Sequence, residues 1–228
     1  MNPVSKQSAT RPPRAVPAWL PYAILAAAAA FLVSRWESLP SRWPSHWGAG
    51  SVANGWSERT IAGVLGLLAL ALPVLVLLEI LAAAERAWIA RRPELAPLAW
   101  ATSQLLRLIA CGVSCFVAFL AIFLPLRASM SLPSVGVAVA LFLLAPTVFG
   151  MAGIAREMNR LRDVGVIGEG YQGMVYRNPK DPRLWVPNLI GPGITINFAH
   201  RWAWPMMLAV VLVSLALAAF IFASVTHR

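Results

Sequence analysis

The stretch Arg156–Arg201, REMNRLRDVGVIGEGYQGMVYRNPKDPRLWVPNLIGPGITINFAHR, is the longest segment of this chain that cannot cross a membrane. It carries seven of the nineteen Lys and Arg residues, and nearly everything around it is apolar. Lys and Arg residues that flank membrane spans accumulate on the cytoplasmic side. We therefore predict that residues 156–202 form a basic cytoplasmic module, which sets the direction of the helices before and after it.

The composition indicates a membrane protein. Of the 228 residues 59% are hydrophobic and only 12% are charged, whereas charged residues make up about a quarter of soluble domains. The net charge of +10 could indicate nucleic-acid binding. The basic residues flank the apolar runs, however, and no nucleic-acid recognition module is present. We predict an all-α integral membrane protein that contacts the lipid bilayer and no nucleic acid.

Five apolar runs, the first of them short, are predicted to form membrane spans, which need about 17–25 residues. The predicted helices cover approximately residues 18–33, 60–83, 104–126, 134–155 and 203–225. With the N-terminus inside and the C-terminus outside, the cytoplasmic segments hold thirteen Lys and Arg residues. The outer segments hold five, with Arg107 set aside. The reverse orientation would violate the positive-inside rule.

This topology divides the chain into segments. Residues 1–17 are polar, basic and predicted to be disordered, and residues 34–59 are an outer loop within a two-helix module at 18–83. Residues 84–155 hold an inner loop at 84–103 and helices three and four, and residues 203–228 hold the fifth helix and the C-terminus. A basic leader before a short apolar run also describes a secretory signal. Since no small-residue cleavage site follows, we predict a retained first helix.

Two charged residues lie inside predicted spans. Glu79 lies about a turn and a half from the inner end of the second span, and Arg107 lies one turn from the inner end of the third. Charges inside a membrane tend to pair or to face the bundle interior, so we predict an ion pair between them. In the alternative, Arg107 extends to the surface and Glu79 is protonated or faces water.

The outer loop contains SLPSRWPSHWGAGSVANGW at residues 38–56. Its prolines and glycines indicate turns, and its tryptophans are of the kind that anchors proteins at lipid headgroups. The order Leu-Pro, Pro, His plus an aromatic, and Gly-Trp resembles a membrane module of unknown function found in SdpI-like proteins, which are bacterial immunity proteins against sporulation-delay-type toxins. The matching residues are Leu39, Pro40, Pro44, His46, Trp47, Gly48, Gly55 and Trp56. Asn54 stands where that module has Asp.

A second resemblance covers YRNPKDPRLWVPNLIGPGITINF at residues 176–198. It is similar to another uncharacterised module of the same bacterial membrane proteins, with a Tyr-x-Asn-Pro-x-Asp-Pro-Arg core. The residues that match are Tyr176, Asn178, Pro179, Asp181, Pro182, Arg183, Val186, Pro187, Gly191, Gly193, Asn197 and Phe198. These resemblances imply a multi-pass protein of the bacterial cytoplasmic (inner) membrane.

The residues of the second motif are also informative by themselves. Asn, Asp and Pro at these spacings are typical of turns, and we expect the Asp181–Arg183 pair to hold a turn rather than to perform acid–base chemistry. Leu184–Val186 and Ile194–Ile196 alternate enough to predict two short strands. We predict a small β-hairpin in the cytoplasmic module, supported by the helices or by lipid because two strands alone are marginal.

No catalytic arrangement, cofactor motif or metal-ligand set is recognisable, so we predict a non-enzymatic protein without cofactor or metal. Three functions remain open. In the first, which the resemblance implies, the outer loop binds a membrane-active toxin peptide or a partner. In the second, the protein is a subunit that docks to a membrane complex through the cytoplasmic module. In the third, it transports a small molecule, although no inverted repeat is visible. The predicted outer-loop binding residues are Pro40, Trp43, Pro44, His46, Trp47, Asn54, Gly55 and Trp56, and those of the cytoplasmic motif are Tyr176, Asn178, Pro179, Asp181, Arg183 and Asn197.

Overall fold

The computed structural model describes residues 15–47, 52–126, 132–191 and 193–226, which divide into two compact units. The first unit comprises Met1–Leu81 and Gln104–Gly150, and the second comprises Ala82–Ser103 and Met151–Arg228. The predictions made for residues 1–14, 48–51, 127–131, 192 and 227–228 lie outside the described residues.

The chain is mostly helical. Its helices are α1 (Leu20–Ser34), α2 (Ile61–Ile89), α3 (Ala96–Leu126), α4 (Leu132–Val139), α5 (Ala145–Asp163) and α6 (Ala203–Thr226). Within the described ranges, four helical segments are long and apolar enough to cross a membrane, namely Ile61–Ile89, Pro93–Leu126, Val135–Asp163 and Ala203–Phe220. The 15 residues of α1 span about 22 Å, less than the roughly 30 Å of a hydrocarbon core. The helical membrane-type fold is confirmed, whereas the fifth crossing and the orientation stay predictions.

The helices run further than their apolar cores suggest. α2 continues to Ile89, a 3₁₀ turn covers Pro93–Leu95, and α3 begins at Ala96. The predicted inner loop at 84–103 is therefore mostly helical. Ala, Glu and Arg are good helix formers, so the charges that mark the end of the apolar run do not end the helix. α2 ends at Ile89, and Pro93, which lacks a backbone donor, begins the 3₁₀ turn before α3.

A π-helical segment, Ala140–Leu144, joins α4 to α5. It ends two residues before Pro146, whose missing N–H cannot bond to the carbonyl of Phe142 four residues earlier. In the first unit, α3 approaches this carbonyl through Gly112, and a Cβ on Gly112 would overlap the Phe142 oxygen. Pro146 and Gly112 together account for both features. Pro146 leaves the Phe142 carbonyl without its helical donor, and Gly112 lets α3 approach that carbonyl closely.

The first unit has a core that includes part of the predicted outer loop. Residues of α1, α2 and α3 pack together with Leu39 and Trp43, and Trp43 is only 5% exposed. The buried members are Leu25, Ala28, Leu32, Leu39, Trp43, Val64, Leu68, Ala71, Leu75, Ala110, Ala118 and Ala121. Small alanines are frequent in this set, as expected where helices approach closely in a membrane.

The segment predicted as an irregular outer loop contains a β-hairpin, which we call the Trp hairpin. Strand β1 (Arg42–Trp47) pairs antiparallel with β2 (Ala53–Glu58). The register pairs Trp43 with Ser57 and Pro44 with Trp56, and it is irregular around His46. Sequence reasoning missed this hairpin because Pro44, Asn54 and Gly55 are depleted in strands.

The second unit contains two further hairpins, which together we call the Asn-Pro module (residues 171–198). Strand β3 (Tyr171–Gln172) pairs with β4 (Val175–Tyr176), and β5 (Trp185–Pro187) pairs with β6 (Ile194–Ile196). The β5–β6 hairpin confirms the predicted one, with β5 starting one residue later. β3–β4 was not predicted, because two residues a strand leave no alternation to detect.

Candidate functional site

The Trp hairpin combines a buried tryptophan with an exposed one. Trp43 lies in the core of the first unit, whereas Trp56 on the opposite strand is 47% exposed. The guanidinium of Arg42 lies over the Trp56 ring, 4.9 Å from Cζ to the ring centroid. Such a cation–π contact holds the exposed indole in one orientation. The hairpin is therefore anchored by one tryptophan and presents the other.

Arg59 holds the hairpin to the end of α1. Its Nη1 donates to the carbonyls of Trp36, Glu37 and Leu39 at 3.2–3.3 Å. It also lies 3.6 Å from the Glu37 carboxylate. Three backbone acceptors on one guanidinium rigidify the turn that positions the strands. In the sequence Arg59 is one of the outer-segment cations, and this anchoring role was not predicted.

His46 and Asn54 face each other across the hairpin. The ring Nδ1 of His46 is hydrogen-bonded to Oδ1 of Asn54, so Nδ1 carries the proton and donates. Gly55 opposes His46, and a Cβ on Gly55 would lie 2.7 Å from the His46 Cβ. The Asn and Gly of the motif thus hold the histidine.

A groove of about 520 Å³ lies beside these residues in the first unit. The hairpin side is formed by Pro40, Arg42, Trp43, Pro44 and Trp56, and the other side by the end of α3 at Leu124–Leu126. Four of the eight predicted outer-loop residues therefore line one surface. Of the others, Trp47 ends β1, while His46, Asn54 and Gly55 form the contact across the strands just described.

The Asn-Pro module is organised around Asn197, which is fully buried. Its Oδ1 accepts from the backbone N–H groups of Asn178 and Ala199, at 3.0 and 3.1 Å. Its Nδ2 donates to the carbonyls of Asn178 and Asp181, at 2.8 and 2.9 Å. An amide side chain has two donors and two acceptor lone pairs, so all four positions are used.

Asp181 has an equally complete set of partners. Oδ1 accepts from the backbone N–H and the Nε of Arg183, and Oδ2 accepts from Arg183 Nη2 at 2.7 Å and from the Tyr176 hydroxyl at 3.0 Å. The hydrogen bonds from the Arg183 side chain and backbone hold the pKa of the Asp181 carboxyl well below its usual range. A carboxylate held ionised by four donors is a poor general acid or base at neutral pH.

The structure thus brings together Tyr176, Asn178, Asp181, Arg183 and Asn197 in one network, with Pro179 inside its turn. Asn178 Nδ2 donates to the Tyr176 hydroxyl at 3.3 Å, and Asn178 Oδ1 accepts from Lys180 N at 3.0 Å. The Tyr171 and Tyr176 rings pack edge to face at 4.9 Å between centroids. Burial raises the pKa of Tyr171, and its protonated hydroxyl donates to the Pro187 carbonyl.

The β5–β6 hairpin leaves an apolar face open. Trp185, Pro187 and Ile194 are exposed, Trp185 by 47% and Ile194 by 65%, whereas Val186 on the other face is buried. This alternation follows from the period of two along a strand. The polar residues of the motif therefore shape the module, and the apolar residues between them form its outer surface.

The structure does not show the predicted ion pair between Glu79 and Arg107, which stays a prediction. No salt bridge joins them within the described residues, and Arg107 Nη1 instead donates to the carbonyl of Val16 at 3.1 Å. Gln104 Oε1 accepts from Val16 N at 2.7 Å. The start of the described chain thus supplies the acceptor, and the predicted disorder of 1–17 does not extend to Val16.

Glu85 is a buried carboxylate in the part of the chain that the structure describes, and its burial was not predicted from the sequence. It is 8% exposed, and its Oε1 has no hydrogen-bond partner among the described groups. The backbone N–H of Gly191 donates to this carboxylate. A glutamate at the end of an apolar run is usually solvated, so no signal in the sequence marked this residue. No group of three or more His, Cys, Asp and Glu residues in the described ranges is placed to hold a metal ion.

Comparison with known proteins gives one match. Residues 179–204 match the model of a family of unknown function, DUF5808. No curated protein and no solved structure matches the chain. The matched segment contains Asp181, Arg183 and Asn197 together with the β5–β6 hairpin, and it ends at the start of α6. In this segment of its second unit, the chain is therefore similar to a family whose function is unknown.

Proposed function

We propose that this chain is a non-enzymatic bacterial membrane protein of the toxin-immunity or sensing type, resembling SdpI-like proteins, and that it binds a membrane-active peptide through the Trp hairpin. The observation that carries the proposal is the groove between Pro40, Pro44 and Trp56 on one side and the end of α3 on the other. The groove is amphipathic, because Arg42 lies in its wall beside an exposed indole.

The chemistry of this wall suits a peptide that is itself amphipathic. Tryptophan offers a large rigid contact area with one N–H donor, and Trp56 is already oriented by Arg42. Arg59 and the buried Trp43 hold the wall in place, so little conformational entropy is lost on binding. We place the protein in the bacterial cytoplasmic membrane with five helices, the N-terminus inside and the Trp hairpin outside, on the basis of the charge distribution.

The test is survival of sensitive bacteria that produce the protein and are challenged with a panel of membrane-active peptides. We expect protection by the native chain and its loss in Trp56→Ala. The matched control is Trp185→Ala, because Trp185 has the same 47% exposure as Trp56 but lies in the other unit. Equal amounts of protein in the membrane must be verified. No protection by the native chain, or an equal loss of protection in Trp56→Ala and Trp185→Ala, would contradict the proposal.

A second candidate, a subunit that docks through the Asn-Pro module, is favoured by the open apolar face at Trp185 and Ile194. A rigid polar network beneath an exposed tryptophan resembles the anchor of a binding surface. The same two variants decide between the candidates. A stable co-purifying membrane partner that is lost in Trp185→Ala and kept in Trp56→Ala would support docking.

The proposed orientation has its own test. A cysteine placed at Lys180 and one placed at Arg42 are compared for labelling by a membrane-impermeant maleimide in intact cells, in a background without Cys111 and Cys115. We expect labelling at position 42 and none at 180 until the cells are opened. Labelling at position 180 and none at position 42 in intact cells would show that the orientation is the reverse of the one proposed.

A further inference from the structure

A second groove, of about 410 Å³, lies within the second unit. It is lined by Gln172, Val175 and Arg177 from the β3–β4 hairpin and its exit, by Phe198, and by Trp204 in the first turn of α6. Phe198 and Trp204 pack edge to face at 5.7 Å between centroids. The backbone N–H of Phe198 donates to the Tyr176 carbonyl at 2.9 Å. The apolar wall of the groove is therefore tied to the Asn-Pro network.

The polar wall of the groove carries Arg177, whose positive charge has no acidic partner among the described residues. Residues 156–201 hold four Asp and Glu residues, and three of them pair with other arginines, in Glu157–Arg160, Asp163–Arg162 and Asp181–Arg183. The Arg177 guanidinium makes no ion pair or side-chain hydrogen bond within the described residues. Its backbone N–H donates to the Gly170 carbonyl at 2.7 Å, which holds the residue at the groove. The groove therefore presents a positioned, unneutralised positive charge.

The location of the groove identifies the source of the missing anion. Trp204 is the second residue of a helix that is long and apolar enough to cross a membrane, and it is 67% exposed. Tryptophans at the ends of spans lie at the level of the lipid headgroups. Arg177 shares a groove with Trp204 and must lie near the same level, where phosphate groups are concentrated. A soluble phosphate ion would make no favourable contact with the apolar side chains of Val175, Phe198 and Trp204.

We propose that this groove binds the headgroup of one anionic phospholipid, with its phosphate on Arg177 and Gln172 and the start of an acyl chain against Val175, Phe198 and Trp204. Arginine suits this ligand because its planar donors match phosphate oxygens, and basic pockets beside membrane helices are known to hold anionic headgroups. The site is independent of the Trp hairpin, which belongs to the first unit.

The test uses the full chain in nanodiscs that contain equal parts of phosphatidylglycerol and phosphatidylcholine, with native mass spectrometry of the lipid that stays bound. We expect the native chain to retain phosphatidylglycerol several-fold over phosphatidylcholine. Arg177→Gln should remove this preference, and Arg177→Lys should restore part of it. Lys180→Gln is the matched control, because it removes an equal charge from an exposed residue outside the groove.

Two further measurements keep the outcome clear. Washing with excess inorganic phosphate should leave the lipid bound, and displacement by phosphate alone would overturn the lipid assignment. If Arg177→Gln lowers the melting temperature, Trp204→Leu replaces it, and this variant should lose retained lipid while keeping Arg177. Equal enrichment of phosphatidylglycerol in the native chain, Arg177→Gln and Lys180→Gln would refute the proposal.

Discussion

The Trp hairpin and the Asn-Pro module are both short β-structures attached to membrane-type helices, but they use their polar residues differently. In the Asn-Pro module, Asn197 and Asp181 make four hydrogen bonds each, all to groups of the module except the one from the adjacent Ala199 N–H. In the Trp hairpin, His46 has one side-chain partner, Asn54, and Trp56 is open over a groove.

The difference shows that a distinctive motif is not by itself a binding site. The Asn-Pro-Lys-Asp-Pro-Arg sequence is distinctive because its residues satisfy one another and the backbone, as buried polar groups must. The Trp hairpin is anchored by only a few residues, Trp43 and Arg59 among them, and its Trp56 side chain is open beside a groove. We therefore expect peptide binding at the Trp hairpin, whose polar side chains have fewer hydrogen-bond partners than those of the Asn-Pro module.

The largest effect is expected from Asn197→Ala. It removes four hydrogen bonds to backbone groups, of which the Asn178 carbonyl keeps one other donor, the Asp181 N–H. Each unsatisfied group costs about 1–3 kcal/mol, so we expect a loss of about 3 kcal/mol or more in the free energy of unfolding. Thermal melting in detergent with proteolysis of the second unit measures it. The control Asn188→Ala, which loses one hydrogen bond at 3.4 Å, should shift melting little. A change equal to that of the control would mean that the network does not hold the module.

The ionisation of Asp181 provides the second test. Its pKa is lower in the folded module than in an unfolded chain, where it is about 3.9. The stabilisation is therefore fully present above about pH 4 and is lost as pH falls toward the folded pKa. Hydrogen exchange of residues 171–198 between about pH 2 and 6 should show progressive opening of the module below pH 4. Asp181→Asn should remove this pH dependence, and an unchanged profile in the variant would assign the acid response to another group.

In the Trp hairpin the corresponding structural substitution is Gly55→Ala. The added methyl group must displace His46, whose Cβ would lie 2.7 Å away, and we expect a loss of about 1 kcal/mol. Ser57→Ala on the same strand is the control. Melting of the first unit measures both variants. A loss of stability as large as that of Asn197→Ala would contradict the proposed difference between the fully hydrogen-bonded Asn-Pro module and the less constrained Trp hairpin.

The smallest effect is expected from Arg42→Gln. Loss of an exposed cation–π contact costs about 0.5–1 kcal/mol, while the freed Trp56 ring should become more mobile. Fluorescence anisotropy in a chain that keeps only Trp56 and the buried Trp43 would detect the motion, and Arg42→Lys should retain part of the restraint. Unchanged anisotropy would show that Arg42 does not orient the groove wall.

Much of the fold follows from hydrophobicity along the chain. Apolar runs of sufficient length must form helices in a bilayer, since every backbone group needs a partner there. The β5–β6 hairpin was predictable because Trp185–Val186 and Ile194–Ile196 alternate beside turn residues. The Trp hairpin was not, because Pro44 and Gly55 oppose local strand formation and only packing of Trp43 into the helices and the Arg59 contacts compensate for them.

The features of the candidate sites also divide into those that the sequence determined and those that only the tertiary structure decided. The sequence by itself determined the apolar spans and the turn chemistry of residues 178–183, because these depend on residue type and local spacing. The tertiary structure alone decided which charges meet. It placed Val16 beside Arg107, buried Glu85 near Gly191, and left Arg177 without an ion pair among the described residues in a groove with Trp204. Charge pairing depends on distances of a few ångströms between segments far apart in the chain, and hydropathy does not encode those distances.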